Sequence, residues 1–379
     1  MSGKQNLEIY VHIPFCQRKC AYCDFLSFPA TEDVRISYID ALCQEIDDAH
    51  NVYNYRDCIV TTIYFGGGTP SVLYGNQIER ILDAIRGAFE VKHDAEITIE
   101  VNPGTADSYK LSQFHKAGFN RLSIGMQSAN DYELKMLSRI HNYQEFERCY
   151  ENARKVGFDN INIDVMTALP NQTPDILMNT LRKVTALKPE HISAYSLIIE
   201  ENTPFYEKYG NIEGPVVGED MERKLYHMTV DYLAGNGYLQ YEISNFAIPG
   251  KESRHNSGYW RQVPYLGFGL GASSYFGITR LKNTESLSEY LMTPGYKIEK
   301  IELSEKDCME EFMFLGLRMR KGVFEHDFAE AFSRKIDDVY KDVLAELVRD
   351  ELIEREGGRI FLTDSGLDYG NYVFSRFLL

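Results

Sequence analysis

Three cysteines, Cys16, Cys20 and Cys23, stand within eight residues of one another, directly after a run of β-type sequence. Thiolates are the usual protein ligands of iron–sulfur clusters, and a cube of four irons held by three of them keeps one iron open to a small molecule. The rival is zinc, which in structural sites takes four ligands in a tetrahedron. No fourth Cys or His lies at finger-like spacing downstream. A loop with no metal is the third reading, and the spacing favours the cluster. The other four cysteines, Cys43, Cys58, Cys149 and Cys308, are scattered. An odd, uneven set of seven fits a reduced compartment better than a disulfide framework.

More residues with chemical potential follow at regular intervals, each at the end of an expected strand. They are Gly66-Gly67-Gly68-Thr69-Pro70, Glu100-Val-Asn-Pro103, Gly125-Met-Gln127 and Asp164. Backbone N–H groups of a glycine run can approach a polar ligand closely. This run is not a P-loop, because no Gly-Lys-Ser/Thr follows it; its bland reading is a tight strand-to-helix turn. Glu100, Gln127 and Asp164, each taken alone, are equally well read as strand-end polar groups satisfied by turns. Their shared location tips the balance, since β/α barrels carry their reactive groups at the C-terminal ends of the strands.

The elements that must position these residues are six β-type runs: Leu7–Ile13, Thr61–Phe65, Glu96–Val101, Arg121–Gly125, Asn160–Met166 and His191–Leu197. Stretches between them, such as Ile78–Phe89 and Tyr143–Val156, repeat apolar residues at helical spacing. Strands alternating with helices predict parallel βα units, and this many of them predicts a partial or complete β/α barrel over residues 1–240. From 241 to 302 the chain becomes aromatic- and glycine-rich and reads as a connecting region. Residues 303–379 read as helices, with Val339, Val343, Leu344, Leu347, Val348 and Leu352 on one apolar face. A hairpin over Leu352–Leu362, turning at Gly357-Gly358, follows. The fold class is α/β, a partial β/α barrel with a small winged-helix-like α+β domain at the C-terminus.

The 379 residues carry a net charge of −16, which repels phosphate backbones and argues against nucleic-acid binding. The winged-helix-like tail, with 11 basic against 17 acidic residues from Leu303 to Leu379, shares that sign. No apolar run reaches the roughly 20 residues of a membrane span. Without the pattern of a secretory signal at its start, the chain is expected in the cytoplasm.

Six segments, in order, carry a family resemblance: Tyr10-Val-His-Ile-Pro-Phe-Cys16, the Cys16–Cys23 loop, Gly66–Pro70, Glu100–Pro103, Arg121–Gln127 and Tyr241-Glu-Ile-Ser-Asn-Phe246. They resemble the radical S-adenosylmethionine (SAM) proteins related to oxygen-independent coproporphyrinogen III oxidase. Within that group, His255-Asn-Ser-Gly-Tyr259-Trp260 is similar to the HNxxYW motif of the HemW family of haem chaperones. The resemblance implies a [4Fe–4S] cluster on Cys16, Cys20 and Cys23 whose open iron chelates SAM. It implies contacts to SAM from Tyr10, Gly67 and Glu100, with Tyr22, Gly68, Thr69, Gln127, Arg139 and Asp164 lining the same pocket. His255 is a candidate haem ligand, with Tyr259 and Trp260 covering the ring. The bland reading makes all three core residues.

Several positions depart from the oxidases. Cys23 is followed by Asp24-Phe25 where they have a further cysteine, and fifteen residues precede Cys16 where they have a longer segment. Others depart from the chaperones: Ala168-Leu-Pro-Asn171-Gln stands for GLPGQ, and Ser273 stands where a histidine is common. The expected function is a haem chaperone that hands haem to an acceptor protein and draws on an electron donor. The alternatives are oxidative decarboxylation of coproporphyrinogen III, radical modification of another porphyrin, and a DNA-reading regulator.

Overall fold

The structure, a computed structural model, describes residues 4–379. Six parallel strands follow one another in sequence and in space: β1 (Gln5–Ile13), β2 (Cys58–Gly67), β3 (Val91–Val101), β4 (Arg121–Gln127), β5 (Ile161–Thr167) and β6 (His191–Ser196). Each run expected from the sequence is one of these strands. Odd and even positions separate along them, as the two-residue period of a strand requires, with one register shift in β2 that moves the apolar set from Cys58 and Val60 to Ile63 and Phe65. Leu7, Ile9, Val11 and Ile13 of β1 join Leu122, Ile124, Ile161, Ile163 and Val165 in the main apolar core, under helix residues such as Ile81, Leu82, Phe146 and Leu181. Full burial of each such side chain contributes about 1.5–3 kcal/mol. The alternate positions turn into the barrel and are mostly polar.

The crossover helices begin and end on local signals. Tyr143–Val156 opens with Asn142 Oδ1 accepting from the Glu145 N–H at 2.9 Å, and closes at Gly157, whose φ of +110° suits a residue without Cβ.

The segment from 241 to 302 adds strands at both edges of this sheet. β7 (Leu239–Glu242) and β8 (Asn245–Ala247) pair beyond β6, with β8 antiparallel to it. The chain then crosses through the helix Arg254–Trp260 to β9 (Tyr265–Phe268), which pairs parallel with β1. β10 (Ser273–Phe276), β11 (Thr279–Asn283) and β12 (Lys297–Glu302) extend that edge. The result is a twelve-stranded open sheet, a partial barrel, ending on β12 at one side and β7 at the other.

From Leu303 the chain builds a second core from Met309, Met313, Phe328, Tyr340, Leu344, Leu347 and Ile360. Three helices, Glu305–Gly316, Glu325–Phe332 and Asp337–Arg349, pack on a small antiparallel sheet of β13 (Val323–Phe324), β14 (Ile353–Glu356) and β15 (Arg359–Leu362). The hairpin turns at Gly357 and Gly358, both at positive φ. One detail differs from the expected apolar face. Val348 is 43% exposed, and Tyr340 takes its place in the core. No helix among the described residues is long and apolar enough to cross a membrane.

Candidate functional site

The loop after β1 folds back on itself. Cys16 N–H donates to Phe28 O at 3.1 Å and Phe28 N–H to Pro14 O at 2.9 Å, so the cysteine segment hangs from a short bridge at the barrel mouth. Beneath it opens a cavity of about 520 Å³ whose lining includes Cys16, Cys20 and Cys23. Tyr22, Gly67, Gly68, Thr69, Glu100, Gln127, Arg139 and Asp164 also border it. The strand-end groups and the cysteines are thus brought to one place.

The glycine run has a specific steric reason. Gly68 and Thr69 donate their N–H groups to Ile13 O and Phe15 O at 2.9 and 2.8 Å, stitching β2 to the cysteine loop. A Cβ on Gly68 would lie 2.9 Å from both Ile13 O and Phe15 O, and one on Gly67 2.4 Å from the His12 ring. Close approach of the cysteine loop, as well as of any ligand, requires glycine here.

Glu100 accepts from Tyr64 OH at 2.8 Å. Burial, then the nearby Asp164, push its carboxyl up to about 8. Burial also raises the Asp164 carboxyl, which accepts from Asn162 Nδ2 at 2.6 Å. Two buried carboxylates in one cavity favour a cationic guest. Opposite them, the Arg139 guanidinium donates to Gly125 O at 2.6 Å and approaches Cys20 Sγ at 3.4 Å, with its Nε left unpartnered. Cys16 Sγ lies 3.3 Å from Thr69 Oγ1, and burial pushes the Cys23 thiol up to about 11. Gln127, at φ +70°, turns its side chain inward to accept from Tyr195 OH at 2.9 Å.

Tyr10, His255, Tyr259 and Trp260 lie outside this lining. Tyr10 OH lies 3.0 Å from His12 Nδ1. His255 is 1% exposed, with Nδ1 2.7 Å from Thr62 Oγ1, Nε2 2.9 Å from Tyr259 OH, and its ring stacked on Tyr64. Burial drives its pKa down to about 3, so the imidazole is neutral. Both nitrogens are engaged, which is the geometry of a core histidine. Trp260 is half-buried under the Arg318 guanidinium, 4.4 Å from its ring centroid.

The cavity also holds residues that the sequence reading passed over: Tyr64, Arg121, Asn162, Ser193 and Tyr195. Strand parity was their signal. Arg121 shares its face of β4 with Gln127, Asn162 shares its face of β5 with Asp164, and all point into the barrel.

Comparison with known proteins places this geometry. A sequence profile of the radical SAM superfamily matches residues 10–184, and one of the HemN C-terminal domain matches residues 303–369. The chain is 38% identical to the heme chaperone HemW of Lactococcus lactis over 100% of its length and 99% of that protein's. It is 39% identical to the heme chaperone HemW of Escherichia coli, covering 98% of each chain. Its fold matches the solved structure of the E. coli coproporphyrinogen III oxidase HemN, described as a radical SAM enzyme. That match has a TM-score of 0.85 at 25% identity, over 99% of this chain and 90% of that one.

Proposed function

The chain belongs to the HemW family of the radical SAM superfamily, and from that membership we propose that it is a haem chaperone, binding haem and passing it to an acceptor protein. The observation that carries this reading is identity of 38–39% along the whole chain to haem chaperones, against 25% to the oxidase of like fold. Phe25, 61% exposed at the cavity rim, stands where the oxidases have a further cysteine and supports the same choice.

Radical SAM membership implies a [4Fe–4S] cluster and SAM, and the residues present fit both. A cube takes each thiolate on a different iron, and Cys16, Cys20 and Cys23 border one cavity. Cys16, Cys20 and Cys23 would hold that cluster. The unpartnered Nε of Arg139 suits the carboxylate of SAM, and Glu100 and Asp164 suit its cationic groups. When bound, the pair supplies one-electron chemistry on the SAM sulfonium. The barrel's own contribution is to orient these groups and to limit water.

In this reading Tyr259 and Trp260 carry the haem contact of their segment, and His255 anchors the helix that presents them. Residues 1–240 form the barrel unit, 241–302 bear that segment, and 303–379 cover it, in a cytoplasmic protein with an external electron donor. The test is anaerobic reconstitution followed by haem titration, beside incubation with SAM, a reductant and coproporphyrinogen III. The expected result is haem binding without decarboxylation. Catalytic formation of protoporphyrinogen IX would overturn the chaperone reading.

A further inference from the structure

The helix Arg254–Trp260 divides two cavities. Its Asn256 borders the cysteine cavity, while Arg254, Ser257 and Gly258 border a second one of about 490 Å³. That space lies at the opposite ends of the strands, against Asn6 and Glu8 of β1, Thr61 and Thr62 of β2, and the turn Met319–Lys321. Its size is in the range of small-molecule sites.

The lining reverses the sign of the molecule. In a chain of net charge −16, this cavity gathers Lys92, Arg254, Arg261, Arg320 and Lys321. Only Glu8 and Glu252 oppose them. Lys92 and Arg320 have exposed carboxylate partners, Asp94 at 3.2 Å and Asp364 at 3.0 Å. The Arg254 guanidinium donates to the carbonyl oxygens of Asp94 and Thr61 at 2.8 and 3.2 Å, with no carboxylate in hydrogen-bond contact with it. Among the described residues, no carboxylate pairs with Arg254, Arg261 or Lys321.

Two polar atoms on the wall are buried without a partner, Glu8 Oε2 and Arg320 Nη1. Glu8 is 2% exposed and pinned from behind: a Cβ on Gly258 would stand 2.0 Å from its Oε1. Buried polar atoms in a folded protein are almost always satisfied, whereas the nearest ring nitrogen to Glu8 Oε2, His255 Nδ1, stands 3.9 Å away. Burial, then Glu96, push the Glu8 carboxyl up to about 9, so at neutral pH it offers an O–H rather than a further negative charge.

We propose that this basal cavity is a second ligand site, for a molecule bearing two or more carboxylates, which Arg254, Arg261 and Lys321 bind and which meets Glu8 at its inner end. Such carboxylates come from two sources, a free small polyacid or the propionates of a porphyrin; the second source rests on the haem-chaperone reading.

The test uses the purified full chain and its Arg261→Glu/Lys321→Glu variant, both positions being exposed and the fold checked by circular dichroism. Citrate is titrated by calorimetry; protoporphyrin IX and its dimethyl ester are titrated by fluorescence. For at least one carboxylate ligand, Kd is expected to rise about tenfold or more in the variant, with the ester responding alike in both proteins. An effect on citrate alone assigns the small acid, and one on protoporphyrin assigns the propionates. Absence of binding by both acids, or unchanged affinities in the variant, overturns the proposal. Haem titrated alongside separates the two readings. Undiminished haem binding in the variant with no acid effect removes this site and leaves the chaperone. Citrate binding that the variant loses, in a wild type that takes up no haem, does the reverse.

Discussion

Replacing His255 by alanine removes one ring and strands two hydroxyls. Thr62 Oγ1 and Tyr259 OH lose their partners at 2.7 and 2.9 Å, and Tyr64 loses the ring stacked on it at 5.1 Å. An orphaned buried polar group costs about 1–3 kcal/mol, and the space left by the ring adds a cavity penalty. Together these set a loss of roughly 3–5 kcal/mol, a large part of the stability of an ordinary domain. Urea unfolding of the cluster-free full chain measures it as a lower midpoint at unchanged slope. His255→Gln, which keeps one hydrogen bond within reach, should lose about half as much. The haem complex of His255→Ala, formed where the variant is still folded, should keep its Soret position. A variant as stable as wild type but with a displaced Soret band would refute the reasoning, because the ring would then serve iron and not the fold.

Three further outcomes are expected. Cys16→Ala, Cys20→Ala and Cys23→Ala should each abolish the roughly four irons per chain taken up on anaerobic reconstitution, whereas Cys43→Ala, Cys58→Ala and Cys308→Ala should retain them; iron and sulfide analysis decides. Glu100→Leu should keep the cluster yet weaken the SAM-induced change in its EPR spectrum about tenfold, while Gly67→Val, driven into His12 at φ +103°, should also lower stability by several kcal/mol; an unaltered SAM response in both would remove these residues from the pocket. Glu8 holds its proton more tightly folded than unfolded, with its carboxyl pushed from 4.5 to about 9, so stability falls as pH rises through that interval. Glu8→Gln should therefore gain on wild type between about pH 6 and pH 9 in urea melts; parallel curves would contradict it.

Much of the cavity could be read before the fold was known, because each βα unit announces its strand and its strand end. Glu100, Gln127 and Asp164 stood out as polar residues closing apolar runs. Arg121, Asn162 and Tyr195 were hidden by looking only at the ends, although the two-residue period sends them into the same interior. β9 to β12 were not legible. Four- to six-residue strands among glycines carry little periodicity of their own, and β9 takes its place between β1 and β10 through partners distant in sequence or short themselves. The surroundings of His255 were not legible for a different reason. A histidine between polar and aromatic neighbours looks like a ligand in one dimension, and only the packing shows both nitrogens taken.

The pairing of β1 with β9 also sets an order of events during synthesis. The backbone edge of the first strand, over Glu8–Val11, waits for residues 265–268. Until then a nascent chain already long enough to form six parallel strands carries an unsatisfied backbone edge at its oldest end. Such edges recruit other chains, and long-range pairings form slowly. Chains cut short between β8 and β9 should thus be prone to aggregation although all three cysteines and every strand end of the cavity are present.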